Sequence, residues 1–280
     1  MDKQLISQFI KNALIEDVGD GDHTSLATIP EGTQGKAKLL IKEAGILAGV
    51  ELAVEIFAQV DYSLKVNVSI SDGAEVEVGD IALTVTGSTH SILIAERLVL
   101  NCMQRMSGIA TKTHRIVSVL EHTKTKLLDT RKTTPGLRYL EKWAVRIGGG
   151  VNHRIGLYDM ILIKDNHVDY AGGISNAIYA AKKYLNDNNK SLQIEIEVRN
   201  IEELNQVIEA GGADRIMLDN FSFENLKKAV KIIDGRFITE ASGGISEDNV
   251  AEYAACGVDY ISMGALTHSV KSLDMSLKAY

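Results

Sequence analysis

Cysteine is scarce in this 280-residue chain, and its two cysteines, Cys102 and Cys256, form no C-x-x-C and no zinc-type spacing. That excludes a disulfide framework and makes a reducing cytoplasm the expected compartment. Long apolar runs are missing too. No stretch approaches the roughly 18 uninterrupted apolar residues of a membrane span. The opening Met1-Asp2-Lys3-Gln4 leads into an interrupted amphipathic pattern, not the apolar core of a signal peptide. Prolines number two, Pro30 and Pro135. Positive charge is in deficit: a net charge of −7 argues against a general nucleic-acid binder. No G-x-G-x-x-G follows an apparent strand, which weakens a dinucleotide-binding reading.

What remains is an ordinary soluble composition, 45% apolar and 24% charged, in a chain long enough for two domains or one barrel with an addition. The charge is uneven. Arg97 to Lys164 holds 13 Lys/Arg against 4 Asp/Glu, a balance of +9, so the rest of the chain carries −16. A basic middle inside an acidic protein suits a localised site for a small polyanion; solvated helix faces are the plainer explanation.

Apolar spacing predicts a helix over 3–17, half-buried strands over 34–41 and 62–70, and a helix over 50–59. Two short strands are expected within 72–81, and a long helical region over 89–122, broken near Ser107-Gly108. After residue 124 short apolar strands alternate with helices. The strands fall at 126–129, 160–163, 192–198, 215–218, 237–240 and 260–262, with a seventh near 149–153. Helices are expected at 174–186, 201–210, 223–233 and 247–255. Such alternation implies a parallel sheet with right-handed crossovers, here read as a (β/α) barrel short of eight units.

The strands end in polar residues. Leu128-Asp129 runs into Thr130-Arg131-Lys132, Ile163 into Lys164-Asp165-Asn166-His167, Leu218 into Asp219-Asn220, and Thr239 into Glu240-Ala241-Ser242-Gly243-Gly244. Tyr260-Ile261 runs into Ser262-Met263-Gly264. One such strand is explained by a helix cap; six together converge on one barrel mouth, where barrel active sites lie. Glu195 and Glu197 share a strand face by the period of two. Two carboxylates on an inner face require cations or polar ligands; an exposed edge strand is the alternative. The glycine loops after the last two strands suit phosphate binding by backbone N–H groups. His90, His114, His122 and His268 read as surface or packing residues, Cys102 and Cys256 as core. Asp20, Asp22 and His23 match no standard metal spacing.

The run Asp129-Thr130-Arg131-Lys132-Thr133-Thr134-Pro135-Gly136, with Asn152-His153-Arg154 and Leu162-Ile163-Lys164-Asp165-Asn166-His167, resembles quinolinate phosphoribosyltransferase, also called nicotinate-nucleotide pyrophosphorylase (carboxylating). The resemblance continues through Glu195-Ile196-Glu197, Leu218-Asp219-Asn220, Glu240-Ala241-Ser242-Gly243-Gly244-Ile245 and Ile261-Ser262-Met263-Gly264. Upstream it includes Glu96-Arg97-Leu98-Val99-Leu100-Asn101 and Ser107-Gly108-Ile109-Ala110-Thr111, so it spans nearly the whole chain. It implies an α/β fold: an N-terminal α/β sandwich domain over 1–110, then an incomplete, six- to seven-stranded α/β barrel over 111–268. A C-terminal helix over 269–280 could return to the first domain.

The implied reaction joins quinolinate to the ribose of phosphoribosyl pyrophosphate, giving nicotinate mononucleotide, pyrophosphate and CO2 on the route to NAD. The resemblance makes Arg97, Arg131, His153 and Arg154 the clamp on the dicarboxylate. Lys132 and Lys164 hold phosphate or the second carboxylate, with Thr130 also at the substrate. Glu197 and Asp219 stabilise the oxocarbenium-like ribose and bind its hydroxyls or Mg²⁺; with Lys132 and Lys164 they form the expected catalytic set. Ser242, Gly243 and Gly244, with Ser262, Met263 and Gly264, hold the 5′-phosphate. Mg²⁺ is expected to bind mainly through the donor's pyrophosphate and waters, with few dedicated protein ligands, and no covalent intermediate is expected. The family pattern is a cytoplasmic homodimer with active sites shared between subunits through Arg97, further assembly left open, and neither nucleic acid nor membrane as partner. His23 and Gln104-Arg105-Met106 depart from the commonest pattern, which bears on dimer contacts. Three rivals stand beside this: a paralogous phosphoribosyltransferase of molybdenum transport acting on another ring acid, a barrel aldolase with Lys164 as Schiff base, and a non-catalytic anion binder.

Overall fold

Alternation builds the first sheet. In β1 (Gln34–Ile41), Ala37, Leu39 and Ile41 are buried while Lys36 is exposed on the other face. β1 pairs antiparallel with β5 (Ile81–Ser88) on one side and β12 (Met275–Ala279) on the other, and β3 (Lys65–Val68) flanks β5. A two-stranded ribbon of β2 (Gly45–Ile46) and β4 (Glu75–Val76) lies apart from this sheet. Helix α3 (Val50–Val60) buries Leu52, Ala53, Ile56 and Phe57 completely, each large side chain contributing about 1.5–3 kcal/mol by leaving water. Helix α1 (Lys3–Val18) lies against α3 and buries Ile10. The short α2 (His23–Thr28) begins at Asp22, whose carboxylate accepts the Ser25 N–H at 3.1 Å.

Two expectations need correction here. The helical region of 89–122 is one uninterrupted helix, α4 (Thr89–Leu120). Gly108 does not break it: a Cβ there would lie 2.2 Å from the Lys271 carbonyl oxygen, so the glycine lets the returning chain cross the helix closely. That returning chain is the second correction. Its last residues form strand β12, not a helix. Met275 and Leu277 are buried at alternate positions, and the edge of β1 offers hydrogen bonds that an isolated helix at the chain end would not gain. Gln104, one of the departures from the family pattern, fastens this segment: its Nε2 donates to Met275 O at 3.0 Å and its carbonyl accepts Leu273 N–H.

The model, a computed structural model, describes residues 3–280 and divides into two units. The first unit takes the chain up to His114, Thr134–Gly149 and Val270–Tyr280. The second takes Arg115–Thr133 and Gly150–Ser269. A single cut at 110/111 therefore does not describe the contacts. Helix α5 (Arg138–Ile147), which follows the first barrel strand, packs with the first unit, where its buried Glu141 pairs with Arg105 at 2.6 Å.

The second unit is a six-stranded parallel sheet in the order β6-β11-β10-β9-β8-β7. The strands are β6 (Lys126–Leu128), β7 (Ile161–Ile163), β8 (Ile194–Val198), β9 (Arg215–Asp219), β10 (Ile238–Ser242) and β11 (Tyr260–Ser262). Because β6 pairs with the last strand β11, the sheet curls round. A one-residue parallel bridge, Leu128↔Val151, adds the start of a seventh position. Among the described residues β7 and Val151 are not paired, so this is an open, incomplete barrel. Helices α6 (Asp165–Ala171), α7 (Ile174–Asp187), α8 (Ile201–Ala210), α9 (Phe223–Ile233) and α10 (Val250–Ala254) supply crossovers, and the short α11 (Ala265–His268) follows the last strand. Asn200 and Ser222 cap α8 and α9 through their side chains, ending each strand-to-helix loop at a defined point. Among the described residues no helix is long and apolar enough to cross a membrane.

Candidate active site

Parallel strands bring their C-terminal ends to one side, and the residues expected there lie at those ends or in the loops after them. The period of two sends Glu195 and Glu197 of β8 to the same, inner face, where both are buried. Glu197 takes a 3.2 Å ion pair from Lys164 Nζ at the end of β7. Burial raises the Glu197 pKa; Lys164 opposes the shift, and the negative charges of Asp219 and Asp165 add to it. Asp219, at the end of β9, accepts a 2.6 Å hydrogen bond from Asn220 Nδ2. Glu197 and Asp219 thus form an acidic pair close enough to feel one another, balanced by one lysine.

The loop after β6 carries the opposite charge. Asp129 is not a mouth acid. It is fully buried and accepts from His153 N–H at 2.8 Å and Asn152 Nδ2 at 2.5 Å, tying the 152–154 segment to β6. Thr130 Oγ1 accepts from Lys132 N–H, and Lys132 O accepts from Thr267 Oγ1 of α11. A Cβ on Gly264 would lie 2.8 Å from Lys132 Cδ, so the lysine stem runs across a glycine surface. Arg131 Nε is buried and lacks a hydrogen-bond partner among the described residues. Arg154 sends Nη1 to Met160 O at 3.2 Å. Burial, then the nearby positive charge of Arg131, lowers its pKa. Two guanidiniums that repel each other, one with a buried donor unused, make a receptor for a carboxylate.

His153 behaves differently from the arginines. It is buried, its Nδ1 accepts the Arg154 N–H at 2.8 Å, and its Nε2 lies 2.8 Å from Glu195 Oε2. Both ring nitrogens are engaged within the protein. The glycine loops also divide. Gly243 has φ +91°, and a Cβ there would meet Asn220 Oδ1 at 2.2 Å, so only glycine fits beside the acidic pair. Gly244 has φ +63°. Met263 N–H is occupied by Leu128 O at 3.0 Å and is therefore a sheet donor, leaving Gly264 as the amide donor of that loop. Ser262 is buried against Glu240. Arg97 belongs to the first unit, exposed on α4.

Sequence reasoning passed over Arg215 and did not single out Glu240. Both are buried beneath the mouth, joined at 3.1 Å. The available signal was weak: Arg215 opens the apolar run Ile216-Met217-Leu218, and Glu240 sits amid Thr239, Ala241 and Ser242 of β10.

Residues 22–107 match the N-terminal domain of quinolinate phosphoribosyl transferase, and residues 109–278 match its C-terminal domain. "Quinolinate phosphoribosyltransferase [decarboxylating] 1b" of Nicotiana tabacum is 50% identical over 284 residues, covering 96% of this chain and 81% of that one. The "Probable nicotinate-nucleotide pyrophosphorylase [carboxylating]" of Bacillus subtilis is 42% identical, with 98% and 92% covered. The crystal structure of NadC from Streptococcus pyogenes superposes with a TM-score of 0.93 at 39% identity, over 99% of this chain and 97% of that one. These matches give no support to the molybdenum-transport paralogue. With both domains matched and half of all positions shared with a relative across nearly its full length, the chain belongs to the quinolinate phosphoribosyltransferase family.

Proposed function

We infer that this chain transfers the phosphoribosyl group of phosphoribosyl pyrophosphate to quinolinate, releasing pyrophosphate and CO2 and forming nicotinate mononucleotide. The observation that carries the reading is the mouth itself. Arg131 lies near enough to Arg154 to lower its pKa and has a buried Nε without a partner among the described residues, while the acidic pair Glu197 and Asp219 stands with Lys164. A dicarboxylate and a developing sugar cation are complementary to those two halves.

The arginines bind the carboxylates and aim the ring nitrogen at the ribose C1. As the C1–oxygen bond to pyrophosphate breaks, positive charge grows on the ribose, and ionised Glu197 and Asp219 stabilise it. The ring nitrogen supplies the electron pair of the new C1–N bond. The nitrogen, now cationic, draws in the electrons of the adjacent C–C bond as CO2 leaves, and a proton takes the vacated carbon. Lys132, over Gly264, and Lys164 supply positive charge for phosphate or the second carboxylate, and the loop Ser242–Gly244 receives the 5′-phosphate. His153 contributes by holding the Arg154 backbone. Mg²⁺ bound to the donor's pyrophosphate would offset the negative charge of the leaving group, and no residue of this chain is assigned to it.

The working form is a homodimer in which Arg97, exposed on α4, completes the partner's mouth. The buried, unpaired thiols Cys102 and Cys256 suit a reducing cytoplasm. The test is CO2 release with parallel formation of nicotinate mononucleotide from purified protein. Release that requires both substrates and Mg²⁺ supports the reading. A folded protein that releases none with quinolinate has a different ring acid as substrate.

A further inference from the structure

His153 stands between the mouth and the barrel interior, and its protonation follows from its neighbours. The Arg154 backbone N–H can only donate, and it lies 2.8 Å from Nδ1, so Nδ1 is the bare, accepting nitrogen. Nε2 then carries the ring proton and donates to Glu195 Oε2 at 2.8 Å, with Glu240 Oε2 at 3.5 Å. The ring is neutral, because an imidazolium would set N–H against N–H at Arg154. On the far side Arg215 Nη1 donates to Glu240 Oε2 at 3.1 Å, and its guanidinium lies 4.6 Å from the centre of the Tyr260 ring. Ser262 lies beside Glu240 and lowers its pKa, and carboxylate oxygens of Glu195 and Glu240 lie within 4.8 Å of one another. Arg154 and Glu197 are further charges that act on Glu195.

The contacting groups can then be counted. Arg215 brings one positive charge and the neutral ring none, so two ionised glutamates would leave a buried cluster at −1. Two ionised carboxylates this close repel one another, whereas a proton on one gives it a donor to offer the other. Glu195 Oε1 and Glu240 Oε1 are both buried and lack a donor when both groups are ionised. One proton removes both difficulties.

We propose that Glu195 and Glu240 share a single proton and, balanced by Arg215, form a positioning unit that holds His153 in its Nε2–H tautomer and thereby holds the Arg154 backbone at the mouth. The environment agrees: burial is the largest influence on each carboxyl and raises its pKa, that of Glu240 to about 8. The trio of His153, Glu195 and Glu240 also has the composition of a cation site, with ligand atoms within 4.8 Å of one another. A metal on Nε2 would force the proton onto Nδ1, against the Arg154 N–H, and Arg215 already occupies the place of the cation.

The shared proton has a signature independent of activity. Difference infrared spectroscopy of the folded, substrate-free protein at neutral pH is expected to show the carbonyl stretch of a protonated carboxylic acid, sensitive to D2O. Either Glu195→Gln or Glu240→Gln abolishes that band, since the remaining glutamate ionises to balance Arg215. Nitrogen NMR of His153 is expected to report a neutral ring protonated at Nε2. The activity arm rests on the proposed function. Each single glutamine variant, which keeps one charge and one donor, stays within about threefold of the parent KM for quinolinate. The double variant and Glu240→Ala raise it by at least about tenfold, as expected when a buried arginine loses its counter-charge or the carboxyl its hydrogen bonds. Absence of the acid band in the folded parent, an imidazolium or Nδ1–H ring, or a single glutamine variant as damaging as the double overturns the proposal. The spectra stand even if quinolinate is not the substrate, so the two readings fail separately.

Discussion

Arg131→Ala separates binding from stability. Arg131 carries a buried Nε with no acceptor among the described residues and lies near a second guanidinium, Arg154, whose pKa it helps to lower. Both features weigh against the empty site, because a buried unsatisfied donor costs about 1–3 kcal/mol. With quinolinate bound, the same guanidinium gains a carboxylate. A charge-assisted hydrogen bond contributes about 1.5–3 kcal/mol, so two parallel bonds contribute about 3–6 kcal/mol, or roughly 10²–10⁴ in Kd. The expected outcome is therefore asymmetric. By isothermal titration calorimetry quinolinate affinity falls at least about a hundredfold, phosphoribosyl pyrophosphate affinity is largely kept, and Tm without ligand holds or rises. Quinolinate affinity within about threefold of the parent would refute the clamp. A fall in Tm matching the loss of about 2–5 kcal/mol of stability that a core truncation causes would show instead that Arg131 is structural.

Other perturbations test other parts of the molecule. Gly243→Ala combines a φ of +91° with a Cβ 2.2 Å from Asn220 Oδ1; the KM for phosphoribosyl pyrophosphate should rise about tenfold or more, with stability lower by about 1–3 kcal/mol. Gly108→Ala should gain about 1 kcal/mol of helix propensity yet lower Tm, because its Cβ would lie 2.2 Å from Lys271 O; an unchanged or higher Tm would mean that the crossing relaxes freely. Co-expressed Arg97→Ala and Arg131→Ala subunits should recover activity that neither has alone, since mixed dimers contain one intact mouth; no recovery in verified mixed dimers argues against sharing. For pH, the folded pKa of Glu240, about 8, lies above its ordinary 4.5. Its contribution to stability is therefore fully present below about 4.5 and is lost as pH rises through about 8. The Tm advantage of the parent over Glu240→Gln should shrink from about pH 5 to about pH 9, and a constant difference would contradict the shift.

Local physics made much of this protein legible from the chain alone. β1 was readable from the alternation of Ala37, Leu39 and Ile41, and α3 from the spacing of Leu52, Ile56 and Phe57, because each pattern matches the period of its own element. The mouth was readable because parallel strands place their ends together, so Lys164, Glu197 and Asp219 needed only strand assignments to converge. Contacts distant in sequence were not readable. Gly108 breaks a helix by propensity, yet the close approach of Lys271 explains it inside one. Met275–Ala279 is a strand because the edge of β1 awaits it across more than two hundred residues. His153 looked like another cation for the substrate. Its role depends on which atoms meet its two nitrogens, Arg154 N–H on one side and Glu195 on the other, and only the packed structure sets that. Sequence determined which charges reach the barrel and roughly where. Tertiary structure decided which remain free for substrate and which neutralise one another in the dark interior, because burial and hydrogen-bond partners are properties of the folded chain.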